Sequence, residues 1–369
     1  MTYIEKKALD LRSLPSPEPT PNKKEYDEER AICLSLDERK NENYKKYLHA
    51  ERSIDVDYLP IKLDIEPVSR CNFRCTMCQV SEWPKMKRAR DMTLDEFKKL
   101  IDDQYGLVEI KLQGMGEPLM NAEPFFEMIK YARLRRIWVR VTVNASLLHI
   151  KENYKKLIDS GVNEVQISID GATQEVFESI RRGSTFSQVI KNCETINSYC
   201  ESLNLIKTKM WTVVQKANFH QLIDLVHLAS NIGFKSQVFS LNLSDFGQGE
   251  WREKNDSVTV DKFLDIDSAN RLIDLGLSLG INVTFWCVTS KYSSSSPKTV
   301  CPWPFERAFI ASDMRTVPCC MIANPDVLEL GIGKSFSEAW NGEDYKNFRE
   351  AHLKGNIPLA CQSCYESKK

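Results

Sequence analysis

No stretch of this 369-residue chain approaches about 18 uninterrupted apolar residues, so no membrane-spanning helix is expected. Net charge is nearly absent as well. The 50 Lys and Arg against 51 Asp and Glu leave −1, and without a basic excess there is no electrostatic case for a nucleic-acid partner. Met1 to Asp10 has no apolar run of the secretory kind, so no export signal is expected and the cytoplasm is the expected compartment. Histidine is scarce, five in the chain, and the one nearest the first cysteine group, His49, lies 22 positions before Cys71. That argues against a mixed Cys/His zinc knuckle there. The 42% hydrophobic and 27% charged content is ordinary, enough for a sizeable core in one large or two moderate domains.

Cysteine is what the chain has in quantity, twelve in all. With no export signal, a disulfide scaffold is not expected, which leaves metal ligands or buried apolar residues. Three cysteines lie at 71–78 and five at 301–364, while Cys33, Cys193, Cys200 and Cys287 are scattered. Burial alone would not produce two groups. The first is Cys71-Asn72-Phe73-Arg74-Cys75-Thr76-Met77-Cys78, a Cys-x3-Cys-x2-Cys spacing just after an apolar run. Three soft thiolates on one loop suit iron–sulfur ligation. Three ligands would leave one iron of a [4Fe–4S] cube open to a cofactor. The competing readings are a zinc site, a disulfide pair or buried thiols.

Residues 1–60 look like an extension. Leu14 to Pro21 is proline-rich and extended, and Asn22 to Arg52 suits one or two surface helices packed on the main body. From Ile61, strand-like runs at 61–66, 108–113, 138–144, 164–170, 205–214 and 236–242 alternate with helical patterns at 93–103, 122–135, 151–160, 186–201 and 219–232. Thr93 and Glu96 form a capping box, Met92 and Phe97 can staple it, and Gly106 reads as the stop. Six strands joined by helices predict an α/β fold, a partial (β/α)6 TIM-like barrel over 61–260. An open doubly wound sheet is the alternative. Either places chemistry at the C-terminal strand ends, where the cysteine loop falls. A helix at 260–279 leads to a strand-like 281–288 and a cysteine-rich tail, so 261–369 is expected to be a small second domain.

The cysteine loop resembles that of the radical S-adenosylmethionine (radical SAM) superfamily. There the open iron is chelated by the methionine part of SAM, and one-electron cleavage gives a 5′-deoxyadenosyl radical that abstracts a hydrogen atom. Gln113-Gly114-Met115-Gly116-Glu117-Pro118, at the second strand end, resembles the family's Gly-Gly-Glu-Pro motif, with Met115 in place of a glycine. Asn144 in Thr142-Val143-Asn144-Ala145 resembles its Thr-x-Asn-Gly segment. By that resemblance Gly114, Met115, Gly116, Glu117 and Asn144, with Ser168 and Asp170 at the fourth strand end, would line SAM. Lys209, Gln215 and Ser240 are further candidates near later strand ends. Met77 stands where the family more often has an aromatic beside adenine, a place its thioether can fill.

Cys301, Cys319, Cys361 and Cys364 offer four thiolates, enough for a tetrahedral zinc or a second, fully ligated cube, and their spacing does not choose. The context, from Cys301-Pro-Trp through Gly331 to Arg349, resembles the SPASM/twitch extension of radical SAM enzymes. The resemblance implies one auxiliary [4Fe–4S] cluster on those four cysteines, with Cys320 a spectator, relaying electrons.

The expected function is a radical SAM oxidoreductase that dehydrogenates a polar, carbohydrate-like small molecule. A flavodoxin or ferredoxin would be the implied electron donor. The alternatives are a maturase or epimerase of a ribosomally made peptide, and a non-catalytic zinc or iron–sulfur protein. For an epimerase, Cys193, Cys200 and Cys287 are the candidate hydrogen donors. Arg181-Arg182-Gly183 could bind an anion, and the loop Asp245 to Asn255 could cover the substrate. No side chain stands out as the base.

Overall fold

Successive side chains of a strand point to opposite faces, so each run that alternates apolar with polar residues separates a helix-facing side from an inner one. The computed structural model describes residues 14–16, 23–83, 90–241, 243–260, 264–287 and 291–365, and in it one nine-stranded sheet carries this separation. The strands are β1 (Lys62–Ile65), β2 (Glu109–Leu112), β3 (Trp138–Val143), β4 (Glu164–Ser168), β5 (Thr208–Val213), β6 (Ser236–Ser240), β7 (Asn282–Trp286), β8 (Arg307–Ile310) and β9 (Thr316–Val317). Their spatial order is β9-β8-β1-β2-β3-β4-β5-β6-β7. Only β9, paired to β8, is antiparallel.

The six expected strands are thus present as a partial (β/α) barrel, neighbours in sequence being neighbours in space. The sheet continues past them on both edges. β7 is the strand-like run expected near 281–288. β8 runs straight on from a short helical turn, Trp303–Glu306, and shows no alternation, and β9 has only two residues, so neither reads as a strand in the sequence.

The helices expected from the patterns are present, and helices at Gln174–Ile180 and Gly249–Asp256, which the patterns do not include, join them. α1 (Lys23–Ser35) and α2 (Glu38–His49) belong to the extension. α3 (Leu94–Asp103), α4 (Ala122–Leu134), α5 (Asn153–Asp159), α6 (Gln174–Ile180), α7 (Phe186–Ser202) and α8 (Leu222–Asn231) cover the sheet. α9 (Gly249–Asp256) and α10 (Ile266–Ser278) follow β6. The capping box is present: Glu96 N donates to Thr93 Oγ1 at 3.2 Å and Thr93 N to Glu96 Oε2 at 3.0 Å. Gly106 is not the helix stop. α3 ends at Asp103, and Gly106 lies where any Cβ would collide with the Asn43 amide of α2. α10 begins later than the pattern implied, at an Asp265 cap that accepts from Ser268 N at 2.7 Å. Pro17 to Pro21 lies outside the described residues, but Pro15 O accepts from Phe285 N of the edge strand β7 at 2.8 Å.

Leu63, Ile65, Ile110, Leu112, Val139, Val141, Val165, Ile167 and Met210 form the helix-facing side, and all are fully buried. Each such side chain contributes roughly 1.5–3 kcal/mol of hydrophobic stabilisation. The inner face carries charge instead. Its lower layer is a chain of ion pairs, Lys62–Glu109 at 3.2 Å, Arg140–Glu109 at 3.2 Å, Arg140–Glu164 at 3.1 Å and Lys209–Glu164 at 3.1 Å. Tyr26 of α1 closes this end, donating to Glu109 at 2.9 Å. The other end of the lumen, at the C-terminal strand edges, receives both cysteine groups.

Candidate active site

The cysteine loop leaves β1 through Glu66 and folds back so that Arg74–Cys75 pairs antiparallel with Arg181–Arg182. Thr76 N donates to Ile180 O at 2.9 Å and Cys78 N to Cys75 O at 3.1 Å. These bonds fix Cys75 at the lumen mouth and keep Cys71 and Cys78 within electrostatic reach of it. Burial first, then the Glu117 charge, pushes the Cys71 thiol up to about 12; burial, then Cys75, does the same to Cys78. Buried thiols of this kind ionise only when a cation replaces the proton, as iron does.

Arg181 and Asp170 support this loop. Asp170 Oδ2 and Arg181 Nε form a 2.7 Å ion pair, and Arg181 Nη1 lies 3.9 Å from Cys75 Sγ. Burial opposes the Arg181 charge, but the Asp170 carboxylate together with the Cys75 and Cys71 sulfurs offsets it, so the guanidinium stays protonated. The second Asp170 oxygen accepts from Val213 N at 2.7 Å. Asp170 therefore acts on the cysteine loop through Arg181. Arg182 donates to Arg74 O at 3.1 Å, so the Arg-Arg pair, read as a possible anion site, is spent on the loop.

Gly114 to Glu117 lies against the same segment. Gly116 has no room for a Cβ, which would strike Val68 O, and Glu117 N donates to Arg70 O at 2.9 Å. Glu66 Oε1 accepts from Met115 N at 2.8 Å, while Oε2 accepts from Ser312 N at 3.3 Å beyond β8. Glu117 accepts from Asn144 N at 2.7 Å and Leu119 N at 3.2 Å. Burial outweighs those N–H bonds and raises both carboxyls to about 7. Asn144 Nδ2 donates to Asn72 Oδ1 at 3.0 Å and lies 4.0 Å from Cys71 Sγ. Ser168 sits half-buried at the end of β4, and Met77 half-buried beside Cys78. The weaker candidates are sealed in. Lys209 belongs to the ion-pair layer, and Gln215 and Ser240 are buried.

The second group comes from three segments. Cys301, Cys361 and Cys364 all act electrostatically on Cys319, as does Cys320. Burial raises the Cys301 thiol to about 12 and the Cys364 thiol to about 11. Tyr365 holds the group: its hydroxyl accepts from Cys301 N at 2.9 Å and sits 2.6 Å from His352 Nδ1. Tyr292 N donates to Cys364 O at 3.0 Å. The Cys320 thiol bonds the Asp64 carboxylate and feels the Lys111 and Arg307 charges in the lumen.

Both donor sets fit iron–sulfur clusters in chemistry and number, three thiols in one and four in the other. Among the described residues no three Cys, His, Asp or Glu side chains draw in around a single ion. A cube of iron and sulfide, holding thiolates at its corners, needs them farther apart. Val80, Met115, Phe309, Ala311, Val317, Ile322 and Ala323 form an apolar cluster that Cys71 and Cys78 border along with Cys319 and Cys361.

Gln79, which gave no signal in the sequence beyond its place after Cys78, joins the two halves. Its Nε2 donates to Met115 Sδ at 2.8 Å, and its Oε1 accepts from Gln248 at 3.0 Å and Asn324 at 3.1 Å. The 245–255 segment, expected as a loop, carries α9 over most of its length and is tied down. Asp245 pairs with Arg252 at 2.9 Å, and Ser244 donates to Met321 O at 2.5 Å. Cys193 and Cys200 lie in the core on α7, on the helix side of the sheet, and do not face the lumen.

Residues 65–229 match the radical SAM superfamily, and residues 301–365 match an iron–sulfur cluster-binding domain, SPASM. The chain carries a radical SAM domain followed by a SPASM domain. [4Fe–4S] clusters and SAM are thus its cofactors. The radical SAM domain contains the 71–78 loop and the strand-end segments at 114–117, 144 and 168–170; the SPASM domain contains the second thiol group.

Similar curated proteins include mycofactocin maturase MftC of Mycolicibacterium smegmatis, 28% identical over 205 residues, covering 54% of this chain and 49% of that protein. PqqA peptide cyclase of Bradyrhizobium diazoefficiens is 22% identical over 315 residues, covering 83% and 79%. GTP 3′,8-cyclase of Nautilia profundicola is 32% identical over 186 residues, covering 48% and 54%. The match spans about half the length of the maturase and of the GTP cyclase. Among solved structures, Streptococcus suis SuiB bound to precursor peptide SuiA aligns with TM-score 0.60 at 15% identity, covering 79% of this chain and 67% of that one. Native anSMEcpe with bound AdoMet aligns at TM-score 0.58 and 18% identity, covering 84% and 92%. These structures share the fold, a TIM-like α/β barrel. No helix among the described residues is long and apolar enough to cross a membrane.

Proposed function

We propose that the chain is a radical SAM maturase that modifies a peptide by removing hydrogen from an unactivated C–H bond. The observation that carries this reading is the match to PqqA peptide cyclase across 83% of the chain, long enough to take in both thiol groups. The maturase match points the same way. Of the sequence expectations, the peptide-modifying one therefore has wider support than the carbohydrate-like metabolite. The relative acting on a small molecule, GTP 3′,8-cyclase, matches less than half of the chain.

In this reading Cys71, Cys75 and Cys78 hold the SAM cluster, and Cys301, Cys319, Cys361 and Cys364 hold the auxiliary one. The backbone of Gly114 to Glu117, with Asn144 and Ser168, faces SAM, while Asp170 orients the cysteine loop. When bound, the cofactors supply hydrogen-atom abstraction and an electron acceptor. The protein's part is positioning. Glu66 and Glu117 hold the strand-end loops, and Gln79 fixes one thiol group relative to the other. Residues 1–60 are an extension whose Tyr26 closes the lower end of the barrel 61–260, and 261–369 is the auxiliary unit. No disulfide joins the cysteines among the described residues, which suits a reducing compartment such as the cytoplasm, with a flavodoxin or ferredoxin as reductant.

Anaerobic reconstitution should give about eight irons per chain and 5′-deoxyadenosine on reduction with SAM. Cys75→Ala should abolish SAM cleavage. Cys361→Ala should keep measurable cleavage but yield no product from peptides co-expressed from the genomic neighbourhood, as read by mass spectrometry. Bound zinc with no SAM cleavage would sink the catalytic reading, and peptides left at their original mass by the intact, SAM-cleaving enzyme would sink the peptide one.

A further inference from the structure

The inner face of the barrel divides into a sealed and an open half. In the lower layer Glu109, Glu164 and Lys209 are 3%, 0% and 1% exposed, and every charge has a partner of opposite sign. Above it Lys111, Gln113, Thr142, Ser168, Trp211 and Trp286 keep accessible surface. Lys111 comes from the middle of β2, where Ile110 and Leu112 take the helix side, so the strand alternation sends its side chain into the lumen. It reaches across the lumen to β5, where its ammonium sits 5.6 Å from the centre of the Trp211 ring. Trp211 is in turn packed on Trp286 of β7, ring centres 5.7 Å apart.

Lys111 makes no ion pair among the described residues, unlike the lower-layer cations. The nearest carboxylate by register, Asp64, is taken up elsewhere: it accepts from Gln113 Nε2 at 2.5 Å and bonds the Cys320 thiol. Burial, with the Arg140 charge next, pulls the Lys111 pKa down to about 8, the mark of a cation short of negative charge. An enclosed charge without a partner is costly unless a ligand supplies one. The unpaired cation stands over an aromatic surface, at the end of the lumen where the cysteine loop lies.

We infer that the upper lumen is a carboxylate-binding site, in which Lys111 takes the acidic group of a substrate residue and the Trp211–Trp286 pair packs against its carbon stem. The site rests on the peptide reading only for the source of the carboxylate, which is an acidic side chain or the chain end. Gln113 and Thr142, 3.3 Å apart, stand beside it to receive the polar backbone of the same residue.

The test uses the reconstituted holoenzyme with SAM and no reductant, so that binding is read apart from turnover. Calorimetry compares glutaramate, which carries one carboxylate, with neutral glutaramide. Glutaramate should bind about tenfold or more tightly, the ratio expected of a charge-assisted hydrogen bond. Lys111→Gln should erase the difference and Lys111→Arg should keep it. Equal affinity for the two compounds, binding of neither, or a preference that survives Lys111→Gln would overturn the site.

Three acetylated pentapeptides then identify the source: Ala-Ala-Glu-Ala-Ala amide, its glutamine counterpart, and the glutamine peptide with a free C-terminus. Preference for the first supports an acidic side chain, and preference for the third supports the chain end. If glutaramate binds through Lys111 but no peptide binds, the site stands and the peptide reading falls.

Discussion

The two thiol groups do comparable chemistry with opposite construction. The first lies within eight residues of one loop, and its geometry is enforced from outside by the Arg181 strand and the Asp170–Arg181 pair. The second is gathered from positions 301, 319, 361 and 364, and the contacts that gather it, Tyr365 to Cys301 and His352, come from its own neighbourhood. A short loop brings its ligands together at little entropic cost, so its supports can specialise in aiming it. A dispersed set must first be assembled, and its supports are closure bonds. Disturbing a support of the first group should therefore cost more, because that support is a buried charge, whereas the second depends on neutral hydrogen bonds.

The largest expected effect follows from Asp170→Asn. Asparagine keeps the bond from Val213 N but leaves the Arg181 guanidinium, itself 7% exposed, without its ion-pair partner and beside Cys75 Sγ. Removing one partner of a buried pair typically costs about 3–5 kcal/mol. Urea unfolding of the anaerobic protein should show a loss of that size. Iron retention under chelation should fall from about eight towards about four, the second group keeping its share. A variant as stable as the parent would mean that the pair is not what aims the first loop.

Tyr365→Phe strikes the second group. The hydroxyl accepts from Cys301 N, which leaves its own proton for His352 Nδ1; burial holds His352 neutral, with a pKa lowered to about 4. Phenylalanine fills the same space and strands both partners, a cost of about 1–3 kcal/mol. Chelation should now take the auxiliary iron first and leave the first loop loaded, the reverse of Asp170→Asn. Loss of both clusters at one rate would show that the two groups are a single unit, and the contrast between them would disappear.

This contrast also decides what could be read in advance. The first loop was legible because its ligands are sequence neighbours and follow a strand whose alternation is plain. The barrel was legible for the same reason, each of its six strands carrying its own pattern. β8 and β9 were not, because Ala308 to Ala311 is an apolar run without alternation and β9 has only two residues. A polar residue ending a strand, such as Asp170, looks free for a cofactor until the fold brings in Arg181 from beyond α6. Gly106 looked like a helix stop, and its real constraint is Asn43, sixty-three positions earlier. Lys111 was not singled out, because a lysine between two apolar residues of a strand is ordinary. Its lack of an ion-pair partner is a property of the whole lumen, which no local pattern expresses.

The smallest expected effect compares like with like. Each group has a left-handed alanine beside an asparagine, Ala145 (φ 62°) after Asn144 and Ala323 (φ 51°) before Asn324. At Ala145, where the family resemblance places a glycine, the conformation costs roughly 1–2 kcal/mol for a residue with a Cβ. Glycine would relieve that cost. It would also lose a buried methyl worth about 0.8 kcal/mol and add about 0.5–1 kcal/mol of unfolded-chain entropy. These terms nearly cancel, so Ala145→Gly should change stability by less than about 1 kcal/mol, with Ala323→Gly, 4% exposed, behaving alike. Ala145→Val meets the same strain with a branched side chain and no compensating gain. It should lose more than either glycine variant, measured by urea midpoint. A glycine variant less stable than the valine one would show that packing against the alanine methyl, and not the backbone, holds Asn144 beside Cys71.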